Sequence, residues 1–216
     1  MANCIIPVTI YTAPCGISKS EAELHKILDK ASSEFSRRFD AGFSYDYRPC
    51  EITPFDTYAI SLIEKTIDSE IAERLSDRAQ ETLGRIVKTL VKYQRFSVAD
   101  RIIYDFYRYV ANENGTPTPK GLHCLMQKDS IYHDNVVTRA HAYTDENILV
   151  VSTDGPDSHV RKWFLHEVAH CMGARHSDAY LSIMNPSSAR RSIWLWDRKT
   201  RAAVGKGIEG FCDGTR

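Results

Sequence analysis

Residues 166–176 read HEVAHCMGARH, a stretch in which three histidines and one glutamate lie within eleven positions. His166 and His170 are four residues apart, so on an α-helix their side chains project from one face, one turn apart. Neutral imidazole nitrogens bind Zn²⁺ at about 2.0–2.1 Å, and two of them on one helical face supply half of a tetrahedral site. The spacing therefore predicts a zinc site on a helix.

The remainder of this stretch favours a catalytic site over a structural one. Gly173 lies where the helix should end, and a glycine there accepts the left-handed conformation that turns the chain sharply. Such a turn would bring His176 to the metal as the third ligand and leave the fourth position for water. Glu167, next to the first ligand, is predicted to act as the base for that water. The alternative is a helix surface on which histidines coincide by chance.

The pattern resembles the HExxHxxGxxH motif of the metzincin clan of zinc peptidases. Metzincins carry a methionine on a tight turn beneath the metal, and Met184 lies eight residues after His176 within the segment SIMNP. This spacing, with Ser177 directly after the third histidine, is similar to that of the matrixins, the matrix metalloproteinase family. Taken alone, Met184 would be interpreted as an ordinary core residue.

The resemblance implies both a fold and a reaction. The fold is α+β, a single metzincin-like zincin domain over residues 1–216 with a mixed twisted sheet, an active-site helix and a C-terminal helix. The reaction is that of an endopeptidase, which hydrolyses peptide bonds of extended proteins or peptides. It uses a water molecule that zinc polarises and Glu167 deprotonates. The implied cofactor is one catalytic Zn²⁺.

A second likeness lies in the sequence Ala140-His141-Ala142-Tyr143. Matrixins have a similar segment on the edge strand above the active site, where main-chain hydrogen bonds hold extended substrate. The resemblance implies that Ala140, His141 and Ala142 bind the substrate backbone. The alternative is a plain strand.

The sequence departs from the matrixin pattern in two places. Residues 54–112 have no counterpart in the minimal matrixin domain, and their apolar residues recur every three or four positions. This recurrence predicts a helical insertion, a possible docking site for a partner. The matrixin structural zinc needs a His-x-Asp pair, but here His133 and Asp134 are adjacent and residues 147–152 contain no histidine. We therefore expect no structural zinc or calcium, and do not assign the chain to the matrixins proper.

Local patterns predict the remaining elements. A helix should run from a capping box of Ser18 and Glu21 to about Phe39, and the zinc helix should be capped by Asp157 or Ser158. Alternating or β-branched runs predict strands at residues 5–12, 43–48, 122–127, 138–143 and 147–152.

The composition excludes some partners. Lys and Arg number 28, as do Asp and Glu, so net charge favours neither nucleic acid nor an anionic membrane. No apolar run approaches the roughly 20 residues of a membrane helix. The first residues lack a secretory signal, which favours a cytoplasmic protein, with a secreted mature form as the alternative. The six cysteines include no CxxC pair, and most are expected to be buried or free thiols.

Two other functions are compatible with the sequence. One is a binding protein that keeps zinc without hydrolysis, although the base Glu167 favours catalysis. The other is a peptidase that acts on proteins bound to nucleic acid, held there by the basic and aromatic residues of segment 189–206. We interpret that segment instead as a final helix that packs its tryptophans under the site and keeps a solvated basic face.

Overall fold

A computed structural model of the protein describes residues 4–12, 17–50, 120–128, 131–133, 136–144, 147–186 and 195–213, together with Phe106 and Val110. The predicted helical insertion at 54–112 lies outside this part of the chain, apart from Phe106 and Val110, which are helical and buried. Asp134, one of the two residues considered for a structural zinc site, also lies outside the described residues.

The centre of the molecule is a five-stranded mixed sheet. The strands of the described chain are β1 (Cys4–Thr12), β2 (Ala41–Pro49), β3 (Leu122–Gln127), β4 (Ile131–His133), β5 (Val136–Thr138), β6 (Ala140–Tyr143) and β7 (Ile148–Ser152). The sheet has the order β2-β1-β3-β7-β6, in which β6 is antiparallel to β7 and the other neighbours are parallel. Strands β3 and β7 are buried along their whole length, as expected for central parallel strands with both faces covered.

The predicted strands are confirmed with one difference. The predicted strand at 138–143 is divided, because β5 ends at Thr138 and β6 begins at Ala140. Arg139 lies between them, where its carbonyl accepts a hydrogen bond from the Ser152 N–H at 2.7 Å. Strand β5 instead pairs with β4 in a separate antiparallel ribbon.

Helix α1 spans Glu21–Phe39 and begins at a capping box. The Ser20 hydroxyl accepts from the Glu23 N–H, and the Glu23 carboxylate accepts from the Ser20 N–H at 2.8 Å. The predicted box of Ser18 and Glu21 was therefore wrong by two residues. The Ser18 N–H instead donates to the Thr153 hydroxyl at 2.8 Å, which ties the chain before α1 to the end of β7.

Helix α2 spans Asp157–Cys171 and carries the first two histidines. Its N-cap is Pro156, without a side-chain cap, so the predicted cap at Asp157 or Ser158 was wrong. Asp157 lies in the first turn, where it pairs with Lys19 at 3.0 Å and its charge is favourable to the helix dipole. The buried apolar side chains of α2 recur at helical spacing and join the main core: Val160, Phe164, Leu165 and Val168.

Helix α3 spans Arg198–Cys212 and packs against β1. Cys212 at its end forms a disulfide with Cys4, 208 residues away in sequence. The expectation that most cysteines are thiols does not hold for this pair, whereas Cys50, Cys124 and Cys171 are buried and take no part in the disulfide.

The segment before α3 anchors that helix to α1. Trp196 is buried and meets Phe35 and Phe39 edge-on, with ring centroids 5.9 and 4.9 Å away. Arg198 and Arg201 of α3 are exposed, as expected for a helix with a solvated basic face. None of the described helices is long and apolar enough to cross a membrane.

Candidate metal centre

Helix α2 places His166 and His170 on one face, one turn apart. Their Nε2 atoms are 3.1 Å apart, and their rings meet edge to face with centroids 4.7 Å apart. The ring of His176, beyond the helix end, lies 5.4 Å from that of His166 and 4.8 Å from that of His170. One nitrogen of each histidine lies within 4.8 Å of the others. The structure thus brings together the three residues that the sequence assigns to a metal.

Backbone carbonyls determine which nitrogen each helical histidine offers. Nδ1 of His166 donates to the Ile183 carbonyl at 2.7 Å, and Nδ1 of His170 donates to the Ala174 carbonyl at 2.8 Å. Because a carbonyl only accepts, each neutral ring carries its proton on Nδ1 and a lone pair on Nε2. Burial, followed by the neighbouring His170, lowers the pKa of His166 to about 3, and burial also lowers the pKa of His170.

The lone pairs of the two Nε2 atoms therefore point at each other. The nitrogens are 3.1 Å apart, and neither has a proton to donate. A cation between them removes this repulsion. Two ligands at about 2.0–2.1 Å from a tetrahedral zinc lie about 3.3 Å from each other, close to the spacing in the protein. Three imidazoles suit zinc among the common divalent metals. The residues fit one zinc ion.

A glycine turn carries the chain from α2 towards His176. Gly173 has φ +89°, and a Cβ there would meet nothing within 4 Å. The Ala174 N–H donates to the Ala169 carbonyl at 2.9 Å and the Gly173 N–H donates to the His170 carbonyl at 2.8 Å, which is the Schellman arrangement. Because the Ala174 carbonyl also holds His170, one turn reverses the chain and orients a ligand.

Residues 172–186, here called the return segment, come back to His166 at a tight turn. The Ser182 carbonyl accepts from the Asn185 N–H at 3.1 Å, so Ile183 and Met184 are the two central residues of that turn. The Ile183 carbonyl holds His166, and the Met184 side chain is fully buried. Met184 therefore lies on a tight turn beside a candidate ligand, and its support of the metal stays a prediction.

Glu167 follows His166 on α2 and is only 5% exposed. Burial raises the pKa of Glu167 to about 8, because the uncharged carboxyl is favoured away from water. A divalent cation held by the adjacent histidines would lower that pKa, since it stabilises the carboxylate. A buried carboxyl whose pKa is set by a nearby cation suits the task of a general base.

The predicted substrate strand lies at one edge of the sheet. Strand β6 follows β7 as the last strand in the sheet order, and α2 packs beside it. Ala140 is buried, while His141 and Ala142 are partly exposed. The position is that of an edge strand, as expected, and the binding of substrate by these residues stays a prediction.

Two solved structures are similar to the folded chain. Archaemetzincin from Methanopyrus kandleri aligns with a TM-score of 0.53 at 10% identity, over 94% of this chain and 96% of that one. Metalloproteinase-II from Bacteroides fragilis aligns with a TM-score of 0.51 at 13% identity, over 95% of this chain and 53% of that longer one. No protein-family model and no curated protein matches the sequence. The chain thus has a fold similar to that of archaemetzincin, which confirms the predicted α+β class and leaves the matrixin-like spacing a prediction.

Sequence reasoning missed the groups that orient the ligands. The carbonyls of Ile183 and Ala174 carry no sequence signal, because every residue has the same carbonyl. Asp197, whose carboxylate accepts a hydrogen bond from the Ser182 hydroxyl at 2.5 Å, was also missed. Its position before a helix is a capping signal, but nothing in the sequence connects it to Ser182.

Proposed function

We propose that this protein is a zinc-dependent endopeptidase. The observation that carries the proposal is the pair of Nε2 lone pairs of His166 and His170, which face each other at 3.1 Å with His176 beside them. The buried carboxyl of Glu167 directly follows the first of these ligands. Three ligands leave one position open for substrate and water, which is the composition of a hydrolytic zinc site.

Each residue has a distinct role in the proposed reaction. When bound, zinc would lower the pKa of water and polarise the scissile carbonyl. Glu167 accepts the proton of the attacking water and delivers it to the leaving amine, so that one carboxyl serves as base and then as acid. The carbonyls of Ile183 and Ala174 keep the helical histidines in the tautomer that offers Nε2.

The proposed substrate is a peptide in extended conformation. Strand β6 lies at the sheet edge beside α2, and an extended peptide can add to such an edge through main-chain hydrogen bonds. Binding of this kind holds the backbone on both sides of the scissile bond. Cleavage within a chain therefore follows more naturally than removal of terminal residues.

The test is cleavage of a peptide library by the zinc-loaded protein and by its Glu167→Gln variant. The variant keeps the size of the side chain but cannot take a proton, so we expect cleavage to fall by about 10²–10⁴-fold with zinc content unchanged. Glu209→Gln, an exposed site on α3, is the matched control and should cleave like the wild type. Cleavage by Glu167→Gln at the wild-type rate would overturn the mechanism.

Blocked peptides separate internal from terminal cleavage. Substrates that are acetylated at the N-terminus and amidated at the C-terminus should be cut as fast as free ones by an endopeptidase. Cleavage of free peptides alone would refute the endopeptidase assignment and leave a zinc exopeptidase. Zinc binding without cleavage of any peptide would favour the non-catalytic binding protein.

A further inference from the structure

A single carboxylate joins α3 to the part of the return segment that orients His166. Asp197 is the N-cap of α3, and its Oδ1 accepts from the N–H groups of Lys199 and Thr200 at 3.0 Å each. Its Oδ2 accepts from the Ser182 hydroxyl at 2.5 Å and from the Thr200 hydroxyl at 2.7 Å. Oδ1 therefore caps the helix, whereas Oδ2 binds the return segment.

Its partner in the return segment, Ser182, is a neighbour of residues that form the metal centre. Ser182 precedes Ile183, whose carbonyl holds His166, and the Ser182 hydroxyl accepts from the Met184 N–H at 3.1 Å. Asp197 is thus two hydrogen bonds away from the carbonyl that orients His166.

Two backbone hydrogen bonds also hold the return segment in place. The Ser177 N–H donates to the Met184 carbonyl at 3.0 Å, which closes the return segment upon itself. The Ile183 N–H donates to the Leu195 carbonyl at 2.8 Å, next to the start of α3. Burial acts to raise the pKa of Asp197, but hydrogen bonds, chiefly from Ser182 and Thr200, lower it to about 2, so these donors face a charged acceptor at neutral pH.

We propose that Asp197 is a positioning residue of the metal centre, which fixes the return segment so that His176 and the Ile183 carbonyl meet the histidines of α2. The proposal rests on the proposed zinc function. Asp197 acts through Ser182 and touches neither metal nor substrate. Its contribution is zinc affinity, because groups that orient ligands typically affect metal affinity by about 10–100-fold.

The deciding variant is Asp197→Asn. Asparagine is as good an N-cap as aspartate, so its Oδ1 can still cap α3. The amide nitrogen that replaces Oδ2 cannot accept from Ser182, so the charge-assisted hydrogen bond is lost and only a weaker neutral one, donated by the amide to the hydroxyl oxygen, can replace it. Thr200→Val is the matched control, because it removes the other hydroxyl bonded to Oδ2 within α3 and leaves the bond from Ser182 in place.

The experiment is zinc affinity by competition with a chromogenic chelator, with the melting temperature of the zinc-free protein measured alongside. We expect Asp197→Asn to weaken zinc binding by about 10–100-fold and Thr200→Val by less than about threefold, although both lower the melting temperature. Ser182→Ala, which keeps the cap intact, should weaken zinc binding in the same direction as Asp197→Asn. The Co²⁺ absorption spectrum of Asp197→Asn should also change, because the geometry of the ligands changes.

Two results would overturn the positioning role alone. One is Asp197→Asn and Ser182→Ala proteins that bind zinc as tightly as the wild type. The other is a Thr200→Val protein that loses as much zinc affinity as Asp197→Asn, which would mean that the stability of α3 is the cause. A wild-type protein that binds no zinc would instead overturn the proposed function, and the positioning role with it.

Discussion

Helix α2 and the return segment contribute to one cluster of histidines, but different interactions hold them in place. His166 and His170 project from a helix whose apolar side chains pack in the main core. His176 is exposed, on a segment that consists mainly of turns and irregular chain. Its position depends on the glycine turn at Gly173 and on the hydrogen bonds that lead to Asp197.

The difference follows from the size of the two kinds of interaction. Each apolar side chain that α2 buries contributes about 1.5–3 kcal/mol, whereas a hydrogen bond contributes about 0.5–1.5 kcal/mol net. The helical half is held by many core contacts. The return segment also buries side chains near its two ends, among them Ile183 and Met184, but the exposed stretch around His176 depends on its hydrogen bonds. Changes on α2 should alter the stability of the zinc-free protein, and changes around the return segment should chiefly alter zinc affinity.

Removal of one ligand from each half gives the largest expected effects. His166→Ala and His176→Ala should each weaken zinc binding by about 100-fold or more, since four-ligand zinc sites gain about 10–16 kcal/mol. Only His166→Ala should also lower the free energy of unfolding without zinc, by about 0.5–1.5 kcal/mol, because that ring donates to Ile183. Chelator competition and urea denaturation measure the two effects, with His159→Ala as the control on α2. Equal losses of the free energy of unfolding in His166→Ala and His176→Ala without zinc would contradict this difference between α2 and the return segment.

The next largest effect is expected where α3 touches the end of α2. A Cβ on Gly207 would lie 2.7 Å from the Cα of Met172, the first residue of the return segment. Gly207→Ala should therefore destabilise the protein by about 1–3 kcal/mol, because backbone must move. Gly205→Ala is the matched control, since its Cβ would meet nothing within 4 Å, and it should stabilise α3 by about 0.5–1 kcal/mol. Thermal unfolding of the two variants checks the opposite signs, and a shared sign would refute the close contact.

The difference between α2 and the return segment also explains which features the sequence could predict. The spacing of His166 and His170 identifies a helical face, because helix geometry converts four residues into one turn. The strands and α1 followed from periodicity and β-branched runs, since local sequence determines them. These are the parts of the molecule in which neighbours along the chain decide the structure.

The parts that sequence could not predict depend on distant residues. The disulfide joins Cys4 to Cys212 across 208 residues, and six cysteines allow many pairings. The carboxylate of Asp197 meets Ser182 only because α3 returns to the site. The cap of α2 at Pro156 was missed because Asp157 and Ser158 are stronger cap formers by residue type, while the structure places them inside the helix.

A smaller effect is expected at the turn that separates the two halves. Gly173→Ala places a side chain at φ +89° with open space around it, so the cost is conformational, about 1–2 kcal/mol. Gly173→Asn should cost less, because asparagine adopts this conformation more readily than alanine. Zinc affinity should fall with the same ranking, since the turn leads to His176 and holds His170. Chelator competition on the three proteins tests the order, and equal affinities for alanine and asparagine would contradict it.

The smallest effect is expected from pH, and it concerns α2. Burial lowers the pKa of His166 to about 3, so this ring stays neutral in the folded zinc-free protein while the unfolded chain takes up a proton near pH 6.5. The unfolded state then binds more protons, and the free energy of unfolding falls as pH drops below about 6.5. Between pH 7.5 and 5.5 His166 should account for about 1 kcal/mol of this loss. Urea denaturation of zinc-free wild type and His166→Ala at both pH values isolates that share, because the remaining buried histidines, including His123, are common to both proteins. If the free energy of unfolding falls by the same amount in both proteins, His166 also takes up a proton in the folded protein. The α2 half would then be as accessible to solvent as the return segment.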